Sequence, residues 1–162
     1  MRAIDIEWEG PFAVLYCREE DAYHTPSLPG ELEEGAQIYA VYGRHPVYGP
    51  NVLLYIGQTQ ASITGRGVRQ RLREHLDGRF WFQKELFIHA GIVSEANISV
   101  HDPDLIRGVE SLLIAVHLPA LNSEYMKGPS STARELHIVN WGIPGSVMPE
   151  CSSRYFAGLD ND

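Results

Sequence analysis

Two short segments rich in aromatic and β-branched residues, 36–43 and 52–57, flank a stretch, 44–51, whose Pro46, Gly49, Pro50 and Asn51 are turn formers. This arrangement constrains the fold more than any other feature, because it predicts an antiparallel hairpin with a long turn. Each arm of the hairpin carries a tyrosine. Tyr39 ends Gln37-Ile38-Tyr39, and Tyr55 opens Tyr55-Ile56-Gly57-Gln58-Thr59. A turn centred near residue 47 sets the two phenols close to opposite each other on neighbouring strands.

The segments around the hairpin supply the other elements. Residues 3–8 and 12–16 read as short strands separated by Gly10-Pro11. Residues 17–34 are acidic and contain Pro26, Pro29 and Gly30, which predicts an arm that is mobile or packs against a basic surface, the arginine-rich helix being nearest in sequence. Residues 64–77 read as a helix that Thr64 could cap, with Val68, Leu72 and Leu76 as its core stripe and Gly78 at its end. Residues 85–93 predict a third strand. Asp102 and Pro103 mark the start of a helix that runs to about Leu118 and stops at Pro119. A Gly, Pro and Ser-rich loop, 128–134, precedes a further strand at 135–141. The order strand, strand, helix, strand, helix predicts an α+β domain with a small antiparallel sheet flanked by helices. The expected division is an N-terminal extension and acidic arm (1–34), a central domain (35–125) and a C-terminal extension (126–162).

At 162 residues, with 44% apolar and 21% charged residues, the chain reads as an ordinary globular protein. No apolar run approaches the ~18 residues of a membrane span. Cys17 and Cys151 lie far apart and form no zinc-ligand spacing, so a reducing cytoplasm is the expected compartment. The other histidines, His24, His45, His89, His101 and His137, read as structural or surface residues. A net charge of −8 argues against a nucleic-acid partner, but its distribution does not. Residues 1–36 hold nine acids against two arginines, whereas residues 37–80 hold six arginines against two acids. The positive charge sits on the segment with the tyrosines. Arg66, Arg69 and Arg73 are candidates to face phosphates, against the plainer reading of a solvated helix face.

Four further residues bear chemistry. Arg71 and His75 stand four apart and share a helix face beside the apolar stripe. Glu110 shares a helix face with Ile106, Leu113 and His117. A carboxylate on an apolar face wants a cation, either a metal or an arginine such as Arg71. Asn122 follows the helix-ending Pro119, where a turn residue is the ordinary reading.

In order, Tyr39, Tyr55, Arg71, His75, Glu110 and Asn122 resemble the GIY-YIG nuclease superfamily over residues 36–123. The resemblance implies catalysis by these six residues and a single Mg2+ or Mn2+ ion held by Glu110. Tyr39 would activate water, Arg71 would stabilise phosphate, and His75 and Tyr55 would support proton transfer and positioning, with Asn122 organising the site. The implied activity is a metal-dependent endonuclease. No separate DNA-binding module is recognisable, which resembles the compact restriction-endonuclease branch acting on double-stranded DNA, where a homodimer cuts a palindrome. An RNase, or a catalytically silent nucleic-acid- or protein-binding module on the same fold, are the alternatives. Two departures stand out: Gln37 replaces the family's first glycine, and the stretch between the motifs is long enough for Arg44 and His45 to project over a substrate.

Overall fold

The computed structural model describes residues 1–59, 67–80 and 83–157, the side chain of Asp77 excepted. Its first strand, β1 (Arg2–Cys17), is followed by β2 (Ala22–His24), helix α1 (Gly30–Gly35), β3 (Ile38–His45) and β4 (Gly49–Gln58). Then come α2 (Val68–Arg79), β5 (Glu85–Glu95), β6 (Ile98–Ser99), α3 (Pro103–His117), β7 (Leu136–Gly142) and β8 (Glu150–Ser152).

The architecture is α+β, but the sheet is mixed and eight-stranded, in the order β4-β3-β5-β1-β7-β8 with β2 on β1 and β6 on β5. The expected small antiparallel sheet is corrected by two long-range pairings. β1 lies between β5 and β7: Ile6 faces Val93 on an antiparallel neighbour and Asn140 on a parallel one. The segments before and after the hairpin therefore contribute strands to the same sheet as the tyrosines. β1 is one strand rather than two, because Gly10-Pro11 is absorbed as a bulge between Glu9 and Phe12 in its pairing with β5. Gly10 is required there: a Cβ would stand 2.9 Å from both the Ile88 carbonyl and His89 Nδ1.

Each face of the sheet is covered by one long helix. On one face α3 buries Ile106, Val109 and Leu113 against Ile4, Ile6, Trp8 and Ile138. Asp102 caps this helix by accepting from the Asp104 N–H at 3.0 Å, and Pro103 occupies its first turn, as the sequence predicts. Trp8 Nε1 donates to Asn140 Oδ1 at 2.8 Å, which satisfies two polar groups inside this core. On the other face α2 buries Val68, Leu72 and Leu76, the expected stripe, together with Tyr39, Val41 and Tyr55 from the hairpin.

The acidic arm is ordered. Leu28 and Leu32 are buried in the α2 core, and Ala22–His24 pair with Leu15–Cys17. The arm also reaches the arginine-rich helix, with Glu33 3.7 Å from Arg69 and the Glu33 carbonyl pressed against Gly67, where a Cβ would lie 2.8 Å away. The two leucines supply the burial that orders a segment otherwise dominated by charge.

Candidate active site

The tyrosine site forms at β4, the end strand of the main sheet, where side chains from both helices meet the hairpin. Register explains the first contact. Tyr39 pairs with Gly57 and Tyr55 with Val41, so both phenols leave the same face as diagonal neighbours. Their ring centroids are 6.1 Å apart. Gly57 makes room for them. A Cβ there would stand 2.6 Å from Tyr39 Cζ and its hydroxyl, and 2.7 Å from Tyr55 Cε1. Both rings are buried, so neither can swing clear. Gly57→Ala should cost about 1–3 kcal/mol in urea unfolding through overpacking. A midpoint and slope unchanged from the parent would show that the rings do not need this gap.

Helix α2 supplies the cations. His75 stacks obliquely on Tyr55 with centroids 5.2 Å apart, and the Arg79 guanidinium lies 5.1 Å from the same ring centroid. Burial, with Arg71 and Arg79 nearby, holds the His75 pKa below the ordinary histidine value. The imidazole is therefore neutral at pH 7. Its Nε2 is buried with no hydrogen-bond partner among the described residues, and the Tyr39 hydroxyl is in the same condition. Burial first, and then the neighbouring Tyr55, push the Tyr39 phenol well above its ordinary pKa, with Arg71 pulling the other way. Tyr55 is raised as well, chiefly by burial and then by the charge of Glu110.

Glu110 comes from α3, on the opposite helix layer, and reaches the site past β4. Burial raises its pKa to about 7, and Gln58 at the end of β4 partly offsets this by presenting its side-chain amide and backbone N–H. Arg71 acts on this carboxylate only through space, because its guanidinium is bonded to Glu74 at 2.6 Å. Among the described residues no arginine forms a salt bridge with Glu110. Gln58 is the residue that sequence reasoning missed. Its Oε1 is buried without a hydrogen-bond partner among the described residues, next to a carboxylate. The signal was present: Gln58 lies within the second tyrosine motif.

Asn122 does not point a functional group into the site. Its Oδ1 accepts from the Ile56 N–H and its Nδ2 donates to the Ile56 carbonyl, both at 2.9 Å. The preceding residues continue this pattern, Leu121 N–H donating to the Leu54 carbonyl at 2.8 Å. Asn122 therefore fixes the backbone between Tyr55 and Gly57, which makes it a positioning residue.

The remaining expected residues are distributed differently. Arg66 lies outside the described residues. Arg69 turns toward Glu33, and its Nε is buried without a hydrogen-bond partner among the described residues. Arg73 is exposed. Arg44 and His45 sit at the turn end of the hairpin, five and six residues from Tyr39, or roughly 17–20 Å along a strand. His45 closes the turn, with Nδ1 accepting from the Val47 and Tyr48 N–H groups at 3.1 and 3.3 Å. The strands run further than expected, so the connection narrows to residues 46–48. Gln37, which stands where the resemblance expects glycine, is buried and ties three segments together. Its Oε1 accepts from the Val93 N–H, and its Nε2 donates to the Val100 carbonyl, both at 2.8 Å.

The site brings oxygen atoms of two side chains together. Glu110 and the unpartnered Gln58 Oε1 are oxygen donors, the kind Mg2+ accepts alongside several waters. Elsewhere, donor atoms of Cys17, Glu20 and His24 lie within 4.8 Å of one another on the β1–β2 hairpin. Glu20 already bonds His24 Nε2 there at 2.8 Å, and a thiol and an imidazole suit softer metals than magnesium. No helix among the described residues is long and apolar enough to cross a membrane. Comparison with protein-family models, with curated proteins and with solved structures finds no match to this chain.

Proposed function

We propose that the protein is a divalent-metal-dependent endonuclease that hydrolyses phosphodiester bonds in DNA. The observation that carries this reading is one cluster: Tyr39, Tyr55, His75 and Glu110 lie together at β4, with Arg71 close enough to act on each of them. Each has a chemical task. Glu110, with Gln58 beside it, would hold the cation. When bound, that cation polarises the phosphodiester and stabilises the departing oxygen. Arg71 faces the charge that grows on the phosphate oxygens. Tyr39, a phenol at neutral pH, orients the attacking water through its hydroxyl. The water oxygen bonds to phosphorus, its proton passes to neutral His75 through Nε2, and the leaving oxygen departs with the electrons of the broken P–O bond. Tyr55 packs against both Tyr39 and His75 and keeps both in register.

A second reading has its own support. The charge of −8, with Arg69 and Arg71 both facing glutamates, favours a catalytically silent binding module on this fold. Incubation with supercoiled plasmid and with RNA, in Mg2+ and in EDTA, separates the two. Metal-dependent nicking or linearisation of plasmid is expected. Cutting of RNA alone would move the substrate class, and cutting of neither would leave the binding module.

A further inference from the structure

The chain beyond α3 is docked back onto that helix one residue from Glu110. Ser111 is fully buried; its hydroxyl donates to the Gly108 carbonyl at 2.9 Å and accepts from the Ser130 N–H at 3.1 Å. Gly108 lets the returning backbone close in, since a Cβ there would stand 2.9 Å from the Thr132 carbonyl. The same loop passes the candidate active site first. Tyr125 packs on the α3 core and feels the charge of Glu110, and the charge of Glu124 adds to the rise in the Glu110 pKa.

Two residues after Tyr125 the loop opens a concavity of about 470 Å³. Lys127, Arg134 and Arg154 line it together with Ser130, Ser131 and Phe156. No carboxylate among the described residues lines it, although the chain has 21 acids against 13 lysines and arginines. Lys127 and Arg154 are exposed and come from separate segments, the loop and the C-terminal turn at 153–156. The Arg134 carbonyl accepts from Ser153 Oγ at 2.8 Å, which ties the two segments together. Cations from separate segments lining one hydroxyl-bearing hollow match a phosphate group. The hollow is open to the surface, as the passage of a strand requires.

We propose that this concavity is a phosphate cradle, walled by Lys127 and Arg154 with the Ser131 hydroxyl as a hydrogen-bond donor, and that its occupant is a backbone phosphate of the strand being cut. The second half of this statement rests on the nuclease reading; the first does not. The segment that leads from the Glu110 site at Tyr125 to Lys127 is short, so the cradle lies close along the strand from the scissile phosphate. It would set the position of the strand rather than take part in the chemistry.

The test uses the full chain in EDTA and the double variant Lys127→Gln/Arg154→Gln. Inorganic phosphate, titrated in a ¹H–¹⁵N NMR experiment, should shift the Ser130, Ser131 and Ala157 amides in the parent and much less in the variant. A duplex oligonucleotide, followed by fluorescence anisotropy, should bind the variant about tenfold or more weaker. The slope of log K against log salt should also flatten by about 0.9 for each phosphate that the variant no longer neutralises. Lys127→Arg keeps the charge and should retain parental behaviour in both experiments. Absent phosphate shifts in the parent, or equal shifts in the double variant, overturn the cradle. Phosphate shifts without any duplex binding by the parent leave the cradle standing and sink the nuclease reading. Duplex binding with the same affinity and slope in both proteins overturns the assignment of the occupant.

Discussion

Glu110→Gln is expected to abolish cleavage and, in the same variant, to stabilise the metal-free protein above pH 7. Both effects come from one carboxylate whose pKa burial raises to about 7. A folded-state pKa above the unfolded value near ~4.5 means that the native state holds a proton the unfolded chain has released. Stability from this group is complete below pH ~4.5 and is lost as pH rises through about 7. The total is on the order of 3 kcal/mol. The amide is neutral at every pH and escapes that loss. Chemical denaturation in EDTA at pH 5 and pH 8 should therefore show a stability gain for the variant only at the higher value. On the nuclease reading the same titration would govern Mg2+ binding, because a cation at Glu110 would have to displace the proton. Apparent Mg2+ affinity of the parent should climb as pH rises toward 7 and level off above it. Full plasmid cleavage by Glu110→Gln at saturating Mg2+ would remove Glu110 from the metal site, whatever its effect on stability.

Tyr39→Phe is expected to lower the saturated cleavage rate by about 10²–10⁴-fold with unchanged substrate affinity. The ring is fully buried over Gly57, and phenylalanine keeps every apolar contact it makes. Only the hydroxyl is removed, and that hydroxyl has no hydrogen-bond partner among the described residues. Removing a buried polar group without a partner relieves a desolvation penalty, so the variant should be as stable as the parent or up to about 1 kcal/mol more stable. A residue kept for packing alone would share this stability change but give no rate loss. Single-turnover cleavage near the parental rate would refute a role for the hydroxyl in the reaction.

What is legible in the sequence and what is hidden there divide along the range of the interactions involved. Val68, Leu72 and Leu76 recur at helical spacing and are all buried, because a helix stripe is a local pattern. Asp102-Pro103 starts its helix as read, since a cap involves only neighbouring residues. The facing of Tyr39 and Tyr55 follows from one hairpin. The parallel pairing of β1 with β7 joins residues about 134 apart, and no periodicity in either segment encodes its partner. The order of the acidic arm is hard to read because its two buried leucines, Leu28 and Leu32, are few among many charges; only contact with α2 makes them count. Glu110 stands out because it breaks an apolar face. Gln58 does not, because a glutamine near a strand end is ordinary until a carboxylate from another layer is set beside it. Asn122 is visible by its place in a motif, yet its work is on the backbone, which composition cannot indicate.

The bonds from Ala120, Leu121 and Asn122 to β4 also bear on assembly. Those residues occupy the outward hydrogen-bonding groups of Leu53, Leu54 and Ile56. A free sheet edge is the usual place for a second chain to add a strand. Here that register is already filled along the stretch that carries Tyr55, by the chain's own irregular segment. Two copies of the protein cannot join there into one continuous sheet without first stripping this segment away, which would release the backbone around Tyr55. Any dimer must therefore be built from other surfaces, leaving the edge that carries Tyr55 intact within each subunit.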